Sequence, residues 1–389
     1  MLFYLLLLSD AFCMGGTVMN YPIRILQVVT YMGRGGLETM LMNYYRKIDH
    51  TKVQFDFLVH RDFEADYDNE IKSMGGKIYH ISRLNPINKQ YKNELDNFFK
   101  QHPEYKIIHS HLDCMSGIPL KEAKKCDIPI RIAHAHSSNQ TKDIKYVLKL
   151  LYKRNITKSA NYLFACGEQA GRWMFNTDDF KVLNNAIDAK KYSFNAEIRD
   201  VRRKEFNIPN DSIVIGHVGR FMAPKNHELI IDIFNKIHFN NPDAYLMLIG
   251  EGDLKESIIE KVKELHLEDY VIFTGLRSDV NELLQAMDVF LFPSLYEGLP
   301  VSIVEAQAAG LPCLISDKVP IECKKTDLVY QINLNDPVDV WADKVNELSH
   351  IQRRDTYEDI KNAGFDIIEN AKWLENFYLD MYKKAIGEE

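Results

Sequence analysis

Short apolar runs return at intervals along this chain, and between them the apolar positions spread out to the three-and-four spacing of a helix face. "IRILQVVT" predicts a strand, "GGLETMLMNYYRKI" a helix, "VQFDFLVH" a strand, "YDNEIKSMG" a helix and "KIYHIS" a strand. Then "YKNELDNFFKQH" reads as helix, "KIIHSH" as strand, "GIPLKEAKKC" as helix, and "IRIAHAHS" and "YLFACG" as strands. Strand and helix alternate, so the class is α/β with a mostly parallel sheet and right-handed crossovers. After "KVLNNAIDAKKYSFN" comes a charged helix, "AEIRDVRRKEFNIP", and the alternation restarts at "SIVIGHVGRF". It continues through "NHELIIDIFNKIHF", "AYLMLIGEG", "LKESIIEKVKELHL", "VIFTG", "VNELLQAM", "DVFLFPS", a further helix and "PCLISD". Two doubly wound, Rossmann-like units joined near residues 185 to 212 are expected to face each other across a ligand cleft. The expected boundaries are an extension at 1–18, a first domain at 19–185, a second at 186–365, and a helix at 366–389 crossing back to the first. The aromatic stripe of that last helix, "DIIENAKWLENFYLDMYKKAI", is read as core packing rather than a cofactor site.

Composition narrows the picture only a little. A chain of 389 residues with 46% apolar positions has room for two cores. A formal charge of −7 gives no whole-chain attraction to nucleic acid, so none is expected as a partner. The 6 cysteines form no Cys-x-x-Cys pair, so neither a zinc site nor a disulfide framework is signalled, and a reducing cytoplasm is the expected compartment. The opening "LFYLLLL" is far shorter than the roughly 20 residues of a spanning helix and lacks a basic lead. Residues 1–18, before Met19, are read as a mis-assigned start or an extension.

Chemistry concentrates in two segments of the second unit. "SLYEGLPVSIVEAQAAGLP" follows a buried strand with a Gly-Leu-Pro turn and a helix, and it carries Glu297 and Glu305. Turns at the carboxyl ends of strands are where open α/β sheets hold ligands, and the free N–H groups of the next helix suit an anion. Ionised carboxylates only accept hydrogen bonds, which fits a ligand rich in hydroxyls. Ordinary turn chemistry and a solvated helix glutamate are the plainer alternative. "GHVGRFMAPKNHELII" places Arg220 and Lys225 just beyond the unit's first strand, where two cations would neutralise a diphosphate unless they are merely solvated.

Taken in order, "VGRFMAPKN", "GEGDLK", "FTGLRSDV" and "EGLPVSIVEAQAAGLP" resemble the retaining, family 4 glycosyltransferases of GT-B fold, nearest to those of bacterial exopolysaccharide and capsule assembly. The resemblance runs from about residue 22 to the end. It implies an acceptor-side first domain and a second domain that binds a nucleotide-diphosphate sugar, with uridine as the expected base. It implies that Glu297 accepts from donor-sugar hydroxyls, that Glu305 holds the ribose, and that Arg220 and Lys225 meet the diphosphate. Gly298, Leu299, Pro300 and Val301 would bring the helix start to the phosphates, Pro300 shaping the turn because it has no N–H. Leu276 and Arg277 would bind the base through main-chain groups.

In the first domain, "YMGRGGLETM" has Gly33, Gly35 and Gly36, and the resemblance points to Gly36 as the glycine that approaches the donor phosphates. A dinucleotide fingerprint would need glycine where Glu38 stands, which argues against a dehydrogenase. In "IRIAHAHSSN" the resemblance puts His136 beside the reacting sugar, through its ring or its main chain, with His134 the alternative; a structural histidine remains the plainer reading of either. His111, in "IIHSHLD", is a weaker candidate on the acceptor side. Lys142, Lys145, Lys149 and Lys153 stripe one helix, which reads either as peripheral contact with an anionic membrane at its inner face or as a solvated surface.

Retention without an evident carboxylate nucleophile suggests a front-side displacement in which the departing diphosphate takes the acceptor's proton. Glu297 and Glu305 are then donor ligands, not a glycosidase pair. No metal and no cofactor are expected, the nucleotide sugar being a co-substrate and the acceptor a glycan or lipid-linked sugar. The competing readings are a sugar-nucleotide epimerase of the same fold, a non-catalytic partner, and a nicotinamide-dependent dehydrogenase.

Overall fold

The computed structural model describes residues 22–137 and 146–388. The extension at 1–18 and two of the striped lysines, Lys142 and Lys145, lie outside the described residues. Two parallel sheets organise the rest. The first has seven strands in the order β3-β2-β1-β4-β5-β6-β7: β1 Ile23–Val28, β2 Val53–Val59, β3 Ile78–His80, β4 Ile107–Ser110, β5 Ile130–Ala135, β6 Tyr162–Ala165 and β7 Lys181–Val182. The second has six in the order β10-β9-β8-β11-β12-β13: β8 Val214–Val218, β9 Tyr245–Ile249, β10 Val271–Gly275, β11 Val289–Phe292, β12 Cys313–Ser316 and β13 Val329–Ile332.

The apolar runs are continuous because helices cover both faces of each sheet. Every residue of β2 and of β11 is buried. Side chains of alternate parity feed two cores per sheet, so Ile25 packs with Phe55 and Phe57 on one face while Leu26 and Val28 pack with Leu58 on the other. The restart of strand order at β4 beside β1, and at β11 beside β8, opens a crevice at each carboxyl edge.

Several elements have no counterpart in the sequence pattern. β7 is only 2 residues long, and β13, "VYQI", buries only Val329 and leaves its other positions partly or fully exposed instead of forming an apolar run. The helix Glu168–Phe175 makes the crossover from β6 to β7, and Val338–Ser349 follows β13.

The chain passes between the units twice, side by side. Ile187 N–H donates to the Phe365 carbonyl and Ile367 N–H donates to the Ile187 carbonyl, each at 2.9 Å. The second passage leads into the helix Ile367–Ile386, whose Ile367, Ala371, Leu374, Tyr378 and Met381 are buried in the core of the first sheet. Its aromatic stripe is therefore packing surface, with Tyr378 fully buried. Among the described residues no helix is long and apolar enough to cross a membrane.

Candidate active site

The turn after β11 and the turn after β8 meet at the second sheet's crevice. Pro300 precedes the helix Val301–Ala308, and no side chain caps that helix start. Its first N–H groups are thus free for an anion. Glu297, in the turn before it, accepts a 2.7 Å hydrogen bond from Lys225 Nζ, and both side chains are mostly enclosed. The same ammonium lies 4.7 Å from the centroid of the Phe292 ring. Arg220, by contrast, is exposed and has no hydrogen-bond or ion partner among the described residues.

The Arg220 loop is held from behind by the glycine turn after β9. A Cβ on Gly250 would stand 2.1 Å from the Gly219 carbonyl oxygen, and one on Gly252 would stand 2.4 Å from that of Phe221. Both glycines have positive φ, 147° and 157°. "GEGDLK" is thereby accounted for as a close backbone approach that sets the loop carrying Arg220.

A cavity of about 980 Å³ runs from these turns to the first domain. Its walls include Arg220, Leu276, Arg277 and Glu305 from one unit and Tyr31 and Arg34 from the other. Leu276 is exposed, while Arg277 is clamped by Asp279, with donor–acceptor distances of 2.8 and 2.6 Å, so its side chain serves the loop at the end of β10. Glu305 accepts a 2.8 Å hydrogen bond from the Tyr192 hydroxyl. Burial pushes the Glu305 carboxyl up from its ordinary range, the Tyr192 bond partly offsetting this. Tyr192 is a wall residue that sequence reading missed, and no local spacing could have linked it to a glutamate 113 positions away.

In the first domain, Gly36 opens the helix Gly36–Tyr45 with no atom within 4 Å of the place a Cβ would take. Glu38 folds back over Gly35, its carboxylate oxygen 2.2 Å from where that glycine's Cβ would be. Burial raises the Glu38 carboxyl, against the opposing pull of its own backbone N–H and of Arg220 across the cleft. Arg34 is exposed at the cavity wall and is a further cation that sequence reading did not single out.

His136 follows β5 directly, with its ring turned inward. Nε2 lies 2.9 Å from His111 Nδ1, and Nδ1 is enclosed with no partner. The main chain faces the cleft instead: the His136 carbonyl oxygen is the nearest atom, at 3.9 Å, to where a Cβ on Gly298 would sit. The strand end is fixed by Asp113, which accepts from His136 N–H at 2.8 Å and from the Ser137 hydroxyl at 2.9 Å. Asp113 has φ of 45°, and burial raises its carboxyl despite those bonds. It too is a site residue that the sequence did not reveal.

His111 and His134 are buried in the first domain, with little ring surface left for a ligand. His111 is bonded to Gln27 and His136, while both His134 ring nitrogens lack any partner. With His109 they place donor atoms within 4.8 Å of one another. His109 stacks on His111 at 4.3 Å and on His134 at 5.2 Å, while His111 and His134 are tilted to each other. Burial drives all four rings to the neutral form, His136 to about 3. Of the striped lysines, Lys153 is drawn onto the Trp173 ring at 4.3 Å.

Two Rossmann-like domains, each with a parallel sheet and a crevice at its carboxyl edge, form the GT-B fold of glycosyltransferases. The chain belongs to the glycosyl transferases group 1 family, whose pattern matches residues 198–366. EpsF of Bacillus subtilis, named as a glycosyltransferase, is 34% identical over 371 residues, which covers 91% of this chain and 96% of that protein. An Escherichia coli UDP-Gal:alpha-D-GlcNAc-diphosphoundecaprenol alpha-1,3-galactosyltransferase is 26% identical over 72% of this chain and 76% of its own. Among solved structures, Anabaena Alr3699/HepE in complex with UDP and glucose superposes with a TM-score of 0.73 at 16% identity, over 92% of this chain and 100% of that one. That likeness is one of fold.

Proposed function

We propose that this glycosyltransferase is a retaining, family 4 enzyme that transfers a hexose from a uridine diphosphate sugar to a glycan or lipid-linked acceptor in exopolysaccharide or capsule assembly. The observation that carries the reading is the unpartnered Arg220 beside the Lys225–Glu297 pair at an uncapped helix start, opposite the His136 carbonyl. The name of the Escherichia coli relative, with its UDP-Gal donor and diphosphoundecaprenol-linked acceptor, supports the donor and acceptor classes.

In this reading the diphosphate lies between Arg220, Lys225 and the N–H groups at Val301, and the base rests beside Leu276 and Arg277 at the end of β10. Glu305, oriented by Tyr192, accepts from the ribose hydroxyls. Glu297 accepts from the sugar hydroxyls while Lys225 turns toward phosphate, so the ion pair is where donor binding registers. As the anomeric C–O bond breaks, negative charge grows on the β-phosphate and the fixed cations stabilise it without a metal. The His136 carbonyl, a fixed acceptor beside Gly298, steadies the sugar. The acceptor hydroxyl attacks from the face the diphosphate leaves, and its proton passes to the departing phosphate oxygen. Anomeric proton couplings of the product formed from UDP-glucose or UDP-galactose test this: an α-linked product is expected, and a β-linked product would overturn retention.

A further inference from the structure

Below the His136 carbonyl, a chain of hydrogen bonds runs through the core of the first domain to the C-terminal helix. His136 Nε2 meets His111 Nδ1 at 2.9 Å, and His111 Nε2 meets Gln27 Oε1 at 2.9 Å. Gln27 Nε2 donates to the Tyr378 hydroxyl at 3.4 Å, and that hydroxyl lies 2.7 Å from His109 Nδ1. Gln27 and Tyr378 are fully buried, so no water replaces a lost member.

The chemistry gives the chain a direction. A carbonyl oxygen only accepts, so His111 Nε2 carries its proton and His111 Nδ1 is bare. His136 must then donate from Nε2, which leaves Nδ1 as the bare nitrogen. At the other end the Tyr378 hydroxyl accepts from Gln27 and donates to His109 Nδ1. One tautomer of each ring satisfies every link.

We propose that Gln27 and Tyr378 are positioning residues for transfer: acting through His111 they hold the His136 ring in a single tautomer and rotamer, and so hold its carbonyl toward Gly298. This rests on the reading of that carbonyl as a contact of the reacting sugar. Asp113 holds the same residue at its N–H, which leaves the ring contacts to set how its carbonyl end is turned. The pin comes from a helix reached only after the donor domain is complete, which makes the C-terminal segment a contributor to the site.

The test is Tyr378→Phe in the full chain, with Gln27→Met breaking the same chain at a second point should the first variant fold poorly. Tyr91→Phe is the control; it removes an equally buried hydroxyl, 2.7 Å from His60 Nε2, outside this chain. Ring ¹⁵N signals of His136 report the tautomer, UDP titration reports donor affinity, and UDP release from UDP-glucose or UDP-galactose reports turnover. The expected result is a mixed His136 tautomer and a turnover loss of roughly tenfold to a hundredfold, with UDP affinity unchanged. The control keeps wild-type turnover and His136 signals. Unchanged His136 signals in both variants would overturn the positioning role. Altered signals with wild-type turnover would overturn instead the placing of His136 at the reacting sugar, and the role with it.

Discussion

Arg220 and Lys225 stand in neighbouring turns yet differ in what they touch, and that difference separates their predicted effects. Arg220 has no partner to lose, so Arg220→Ala should leave unfolding in urea within about 0.5 kcal/mol of the parent. Its UDP release should fall by about 10²–10³-fold, as removal of one preorganised charge contact does. Lys225→Ala strips the cation from Glu297, which is mostly enclosed, and should cost about 1–3 kcal/mol of stability in addition to activity. Equal stability losses for the two would contradict the pairing. Both cations were readable from sequence because they follow a strand directly. Tyr192 and Asp113 were not, since the partners that define them lie 113 and 23 positions away and are brought near only by tertiary packing. The inward turn of the His136 ring was hidden for the same reason: it depends on His111 and Gln27, 25 and 109 positions off.

At the scale of elements, the long apolar strands and the turns after β8 and β11 were readable, because burial on both faces leaves mostly apolar side chains there. β7 and β13 were not, being short edge strands with exposed positions in place of a run. The turn before the helix Val301–Ala308 gives a sharp prediction. A Cβ on Gly298 would meet only the His136 carbonyl oxygen, at an ordinary contact distance of 3.9 Å. Gly298→Ala should fold and melt like the parent while UDP release from a UDP-sugar drops at least tenfold, because the methyl group enters the space assigned to the donor sugar. Wild-type turnover in that variant would remove the sugar from this place. Gly250→Ala should behave oppositely in stability. Its Cβ would be driven into the Gly219 carbonyl oxygen at 2.1 Å, and the strained φ adds to the cost. A clear fall in melting temperature is expected from a thermal scan.

For the whole molecule, buried histidines tie stability to pH. His109, His111, His134 and His217 are held neutral well below the ordinary value of 6.5, His136 down to about 3 and His227 to about 4, in each case mainly by burial. Below pH 6.5 the unfolded chain takes up protons that the native chain refuses. Stability is therefore complete above that pH and falls as the pH drops toward the native values, by up to about 1.4 kcal/mol per histidine per pH unit. Glu305 and Asp113, raised by burial, act in the other sense but are outnumbered. Urea midpoints measured between pH 7.5 and 5 should decline steeply on the acid side, and a flat profile would mean that the cluster opens to water.

The cavity draws its walls from both domains, and Arg220 acts electrostatically on Glu38 of the first. The central claim is that this cleft holds a nucleoside diphosphate by the Arg220 end. The most direct measurement is calorimetric titration of the full chain with UDP, repeated on Arg220→Ala. The predicted result is one saturable site in the parent and an affinity at least tenfold weaker, about 1.4 kcal/mol, in the variant. No binding to the parent, or equal binding to both, would contradict it.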